Sequence, residues 1–68
     1  MISYRPFWET LASRRMTTYD LIFRQGLSAN TIHRIKHNAA ITTKTINELC
    51  FILQCPVSDI IEYVEESD

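Results

Sequence analysis

The residues with chemistry to offer are few, and most lie in one short stretch. Asn30, His33, Arg34 and His37 recur at the three- and four-residue spacing that places side chains on one face of a helix. Asn and Arg are also the side chains whose paired hydrogen-bonding groups match the edges of adenine and guanine. His33 and His37, four apart, could hold zinc, but no Glu lies between them and no third ligand is near, so they read as polar surface or DNA contacts. Cys50 and Cys55 are far from both histidines and lack the four-ligand spacing of a zinc ribbon or finger. They read as two small buried thiols, and a disulfide between them would close a very short loop with awkward geometry. Ser13, Thr31 and Ser58 have no hydrolase-like arrangement of Cys, His or Asp around them, and 68 residues leave no room for an oxyanion hole and a substrate cleft. Neither catalysis nor a metal or other cofactor is expected.

A chain of 68 residues holds one core, so residues 1–68 are read as a single domain. With 46% hydrophobic and 22% charged residues, one Gly and two Pro, the composition is that of a folded protein. The longest unbroken apolar run, Leu49 to Leu53, falls well short of the roughly 18 residues that cross a bilayer. Met1 to Trp8 contains Ser3, Arg5 and Pro6 instead of a signal-peptide stretch. With unpaired cysteines this points to a reducing, cytoplasmic setting without membrane contact. The overall charge of −1 hides a split: residues 1–57 carry all seven basic side chains against three acids, a net +4, while the last eleven carry the other five acids. Such asymmetry suits a domain with one nucleic-acid-facing side and an acidic end.

The punctuation divides the chain into short amphipathic helices. Pro6 suits a first helical turn, with Phe7, Trp8, Leu11 and Ala12 on one face and Arg14 and Arg15 near the end, where they suit the helix dipole. Thr17 with Asp20 makes a capping box for a second helix, which Gly26 ends. Ser28 caps a third helix, with Ala29, Ile32 and Ile35 inward, that stops near Asn38. Thr42 caps a fourth, with Ile46, Leu49, Cys50 and Leu53 as the clearest apolar stripe. Pro56 opens a short fifth helix through about Ile61; alternatively Ile61 to Val64 is extended and pairs with Ile2 to Tyr4. The expected core is Trp8, Leu11, Leu21, Ile22, Leu27, Ile32, Ile35, Ile46, Leu49, Cys50 and Leu53.

Two short helices joined by a tight turn with one glycine, the second carrying Asn, His, Arg and His outward, have the geometry of a helix-turn-helix. Gly26 can take the left-handed conformation the turn needs, without a Cβ clash. Leu27, Ile32 and Ile35 fill the wedge between the helices. Ser28 leaves free amides at the helix N-terminus, where base edges and phosphates are met.

The run from Thr17 to Ile35, with Gly26-Leu27-Ser28 followed by Thr31-Ile32, resembles the helix-turn-helix of the phage repressor and Cro class, the Cro/C1-type or Xre family. Ile2-Ser3-Tyr4, Pro6-Phe7-Trp8, Leu49-Cys50, Leu53-Gln54-Cys55 and Asp59-Ile60-Ile61-Glu62-Tyr63 extend the resemblance to the small stand-alone members of that class, which are typical of Gram-positive bacteria and their mobile elements, some of them in resistance operons. The chain departs from the family pattern at Ile22, where Ala is usual and a wider gap between helices follows, and at Thr18, where a longer Gln usually reaches a phosphate.

The resemblance implies an all-α, five-helix lambda-repressor-like domain that places its third helix, about Ser28 to His37, in the major groove of double-stranded operator or promoter DNA as a transcriptional regulator. Base contacts then fall to Ser28, Ala29, Asn30 and Arg34 with His33 beside them. Phosphate contacts fall to Thr18, His37, Asn38, Thr43 and Lys44. One recognition helix reads few base pairs, so a homodimer is expected at least on DNA, through the fourth and fifth helices with Phe51, Ile60 and Tyr63 supplying apolar area. No small-molecule ligand is implied. The rival expectation is a protein-interaction module of the same fold, of antirepressor or antitoxin type.

Overall fold

The computed structural model describes residues 1–66, in the order β1 (Ile2–Ser3), α1 (Arg5–Ser13), α2 (Thr18–Phe23), α3 (Ala29–Lys36), α4 (Thr43–Leu53), a 3-10 turn (Val57–Asp59) and β2 (Glu62–Tyr63). The helices start where their caps dictate. Pro6 sits in the first turn of α1, and Thr17 and Asp20 form a complete capping box. Ser28 and Thr42 accept first-turn amide protons of α3 and α4. The terminal strands pair antiparallel, Ile2 opposite Tyr63 and Ser3 opposite Glu62, which bears out the extended reading of the C-terminal segment.

The expected fifth helix is not formed; the described residues contain four α-helices and one 3-10 turn. The Asp59 carbonyl, which an α-helix would offer to the amide of residue 63, instead accepts the Thr10 hydroxyl at 2.8 Å. Tyr63 is held in the strand opposite Ile2. Glu62 and Tyr63 are extended in that strand, so the helix ends after one turn.

Three helices end without glycine. Arg15, Asn38 and Gln54 adopt left-handed backbone at φ 56°, 55° and 52°. The next amide in each case reaches back five residues, Met16 to Leu11 (3.1 Å), Ala39 to Arg34 (2.8 Å) and Cys55 to Cys50 (3.1 Å), satisfying carbonyls the helix leaves open. Arg14, expected from sequence to serve the end of its own helix, does not. Its guanidinium crosses to the Leu53 carbonyl (3.0 Å) and the Gln54 carbonyl (3.4 Å) at the C-terminus of α4, where a cation meets the negative end of that helix.

The core is Tyr4, Phe7, Leu11, Leu21, Leu27, Ile32, Ile35, Leu49, Leu53 and Ile60. Trp8, Ile22 and Cys50, expected inside, pack against it half-buried, and Ile46 is also half-buried. Phe7 instead of Trp8 takes the fully enclosed position of α1, with the Trp8 ring edge-on to it at 4.9 Å. Indole is too large to enclose completely in so small a core.

Candidate nucleic-acid interface

Gly26 has φ +79°, the left-handed backbone the turn between α2 and α3 requires. A Cβ there would meet no atom within 4 Å, so backbone conformation, not crowding, asks for glycine. The Leu27 amide then bonds back to the Leu21 carbonyl at 2.9 Å and turns the Leu27 side chain into the core. Leu27, Ile32 and Ile35 are all buried, which fixes the face by which α3 attaches and leaves the opposite face to solvent.

That outer face carries Asn30, His33, Arg34 and His37, all exposed, with Ser28 and Ala29 exposed at the N-terminal end. Ser28 Oγ accepts the amides of Asn30 (3.0 Å) and Thr31 (3.4 Å), so the cap occupies two of the amides expected to be free. The serine hydroxyl proton remains available to donate. The His33 and His37 rings lie against each other, centroids 4.2 Å apart. Among the described residues no group of three or more His, Cys, Asp or Glu side chains is placed to hold a metal ion.

Arg34 folds back across the loop after α3, its Nη1 donating to the Ala40 carbonyl at 3.4 Å. A groove lined by Thr31, Arg34, Ala40, Ile41, Thr42 and Thr45 lies between α3 and the first turn of α4. Thr43 and Lys44 stand exposed in that turn, and His37 and Asn38 are exposed at the end of α3. Thr18, the remaining expected phosphate contact, is half-buried at the first position of α2.

The positive charge available to a polyanion is smaller than the sequence count. Arg5 is paired with Glu62 (3.2 Å) and lies 3.8 Å from Glu9; Arg24 is paired with Asp20 (3.4 Å); Arg14 is spent on the end of α4. Arg15, Lys36 and Lys44 are exposed and have no ion pair or side-chain hydrogen bond among the described residues. Asp20 is held below the usual carboxylate range chiefly by the Thr17 amide at 2.9 Å, helped by the Thr17 hydroxyl and by Arg24.

One residue behind this surface was given no role from sequence. Tyr4, buried to 6% exposure, donates its hydroxyl to the Ala39 carbonyl at 2.6 Å, directly behind the end of α3. Burial pushes its phenol pKa up against the pull of the Ile41 backbone, so the hydroxyl stays a donor through the neutral range. The signal was an aromatic two residues after Ile2, ahead of the first helix and so without a periodicity to assign it inward.

A turn held by left-handed glycine, a buried wedge and an exposed polar second helix define the site, and the family comparison agrees with it: the Cro/C1-type helix-turn-helix DNA-binding domain matches residues 7–66. The chain belongs to this family. It is a DNA-binding family and not an enzymatic one. Among solved structures, the Cro/C1-type domain described here is similar to the transcriptional regulator VanUg, with a TM-score of 0.85 and 29% identity over 96% of this chain and 87% of that one. No curated protein matches. No helix among the described residues is long and apolar enough to cross a membrane.

Proposed function

We propose that this Cro/C1-type domain is a sequence-specific transcriptional regulator that lays α3 in the major groove of duplex operator DNA. The observation that carries this reading is the outer face of α3, where Asn30, His33, Arg34 and His37 are all exposed on a helix whose other face is locked into the core by Ile32 and Ile35. Asn30 pairs with adenine and Arg34 with guanine, each through two hydrogen bonds, and the Ala29 methyl meets a thymine methyl. Ser28 and His33 complete the base-reading set. Thr18, His37, Asn38, Thr43 and Lys44 hold phosphates and fix the register. The similarity to a transcriptional regulator supports the same reading.

Two copies act together on DNA, reading half-sites about one helical turn apart. Phe51 on the outer side of α4 and Tyr63 on β2, each 74% exposed, supply apolar contact area. Ile60, assigned to that surface from sequence, is 0% exposed and belongs to the core. The operator being chromosomal or on a mobile element, the setting is cytoplasmic, consistent with Cys50 and Cys55 both free.

The second reading, a protein-interaction module of the same fold, is favoured by one observation. Tyr19 and Phe23 stack on α2 with ring centroids 4.6 Å apart and are 61% and 70% exposed. An electrophoretic shift with the promoter of the protein's own operon separates the two. A discrete shift that non-cognate duplex does not compete away supports the regulator; binding no stronger than to random duplex favours the interaction module.

A further inference from the structure

We propose that Tyr4 is a positioning residue for DNA binding, its hydroxyl holding the loop that sets α3 against the N-terminus of α4. The inference rests on the DNA-reading assignment of those two elements and adds a residue that touches neither base nor phosphate.

The loop from Asn38 to Ile41, between the cap residues His37 and Thr42, connects the reading helix to the α4 turn that carries Thr43 and Lys44. Its backbone leaves α3 through the left-handed Asn38 and the Ala39 amide bond to Arg34. The next carbonyl, that of Ala39, is bound by Tyr4 Oη at 2.6 Å from a point 35 residues earlier in the chain. Packing alone does not do this work: Ile41 packs against the core, but a cleft of about 350 Å³ lies against the loop, with Ile2 and Tyr4 on one side and Ile41, Ile46 and Ile61 among its other walls. Among the described residues two side chains bond to this loop, exposed Arg34 at 3.4 Å to Ala40 and buried Tyr4 at 2.6 Å to Ala39, and the shorter, buried bond sets its height.

Tyr4 is itself anchored on both sides. Ser3 is paired with Glu62 in the sheet, and the Arg5 guanidinium binds the Glu62 carboxylate at 3.2 and 3.3 Å. The terminal strand pair thereby transmits its fixed position through one phenol to the end of the recognition helix. That gives a two-residue sheet, too small to matter for the core, a role in the interface.

The test is Tyr4→Phe, which keeps the ring and its packing and removes only the hydroxyl. Its control is Thr10→Val, which removes a comparable hydroxyl-to-carbonyl bond, to Asp59, away from the loop. Both variants are measured well below their melting temperatures against a random-sequence DNA duplex pool, and by amide hydrogen exchange without DNA. Tyr4→Phe is expected to weaken duplex binding by about three- to tenfold, the loss of one hydrogen bond's worth of pre-organisation, and to lower the salt slope. It should speed exchange of the amides from Ala39 to Lys44, and its binding defect should shrink in a Lys44→Ala background, because the two changes damage one contact. Thr10→Val should melt earlier yet bind as wild type. Wild-type-like binding by Tyr4→Phe, an equal loss in Thr10→Val, or a defect simply additive with Lys44→Ala overturns the proposal while leaving DNA reading intact. A wild-type protein that ignores duplex DNA even at low salt removes both.

Discussion

The Arg34 guanidinium rests 3.4 Å from the Ala40 carbonyl, so the side chain best suited to read guanine is folded onto its own loop in the free protein. A bond that long on an exposed side chain is weak, and releasing it to reach a base costs little. Arg34→Ala is therefore expected to leave stability within about 0.5 kcal/mol of wild type. It should cost roughly 1–3 kcal/mol per protomer on the best operator and flatten preference at one base pair. Binding titrations against single-base operator variants check this; undiminished selectivity would remove Arg34 from the reading set.

Gly26 gives a sharper stability prediction than crowding would. Since its Cβ position is open and only φ +79° is demanding, Gly26→Ala should destabilise by about 1–2 kcal/mol, the left-handed penalty of a residue with a side chain. Gly26→Val should lose more because β-branching adds to that strain, and Gly26→Asn should lose less. Denaturant unfolding ranks the three, and an order set by side-chain volume alone would contradict the backbone account.

The capping box of α2 makes stability pH-dependent in a known direction. Asp20 titrates lower in the folded chain than in the unfolded one, chiefly because its carboxylate accepts the Thr17 amide. Its contribution is thus present above the ordinary aspartate range and disappears as pH falls through the folded-state value. Asp20→Asn should melt below wild type at neutral pH, with the gap closing on acidification. A gap that stays constant down to strong acid would mean that the charge of Asp20 contributes nothing.

What the sequence disclosed and what it hid follow one physical line. Caps are local, so Thr17, Ser28 and Thr42 placed three helix starts correctly, and the Gly26 turn was legible because glycine advertises left-handed backbone. The end at Asn38 was legible, since asparagine tolerates left-handed backbone, but Arg15 and Gln54 are left-handed without any such signal in the sequence. The fifth helix gives way to the pairing of Glu62 and Tyr63 with Ser3 and Ile2, a contact between chain ends that the sequence offered only as an alternative. Within the site, the outer face of α3 could be read from helical spacing. The Tyr4 bond to Ala39 and the commitment of Arg14 to the end of α4 are long-range contacts between polar groups, and periodicity reports only apolar faces.

Dimer formation should depend on Phe51 and not on the core residue beside that surface. Phe51→Ser replaces a side chain that is 74% exposed, so the monomer should fold with little change in stability while two-copy occupancy of the operator is lost. Ile60→Ser, at 0% exposure, should instead unfold the chain. Sedimentation of the DNA complex distinguishes the cases. One chain per operator for the wild-type protein would defeat the dimer.

Lys44→Ala should fail differently from Arg34→Ala, because a point charge at the exposed start of α4 contributes affinity without information. Lys44 has no ion-pair partner among the described residues, so its removal breaks nothing in the folded chain and stability should hold within about 0.5 kcal/mol. On DNA the lost charge means about one fewer phosphate neutralised per protomer, hence one fewer counterion released. The log–log salt slope should therefore fall by about one unit per protomer, with all duplexes weakened alike and the ratio of operator to random-sequence affinity preserved. Titrations across a salt series separate the two variants: Arg34→Ala changes the ratio and Lys44→Ala the slope. If Lys44→Ala changes neither while the fold is intact, the first turn of α4 lies off the DNA, and the groove between it and α3 faces another partner.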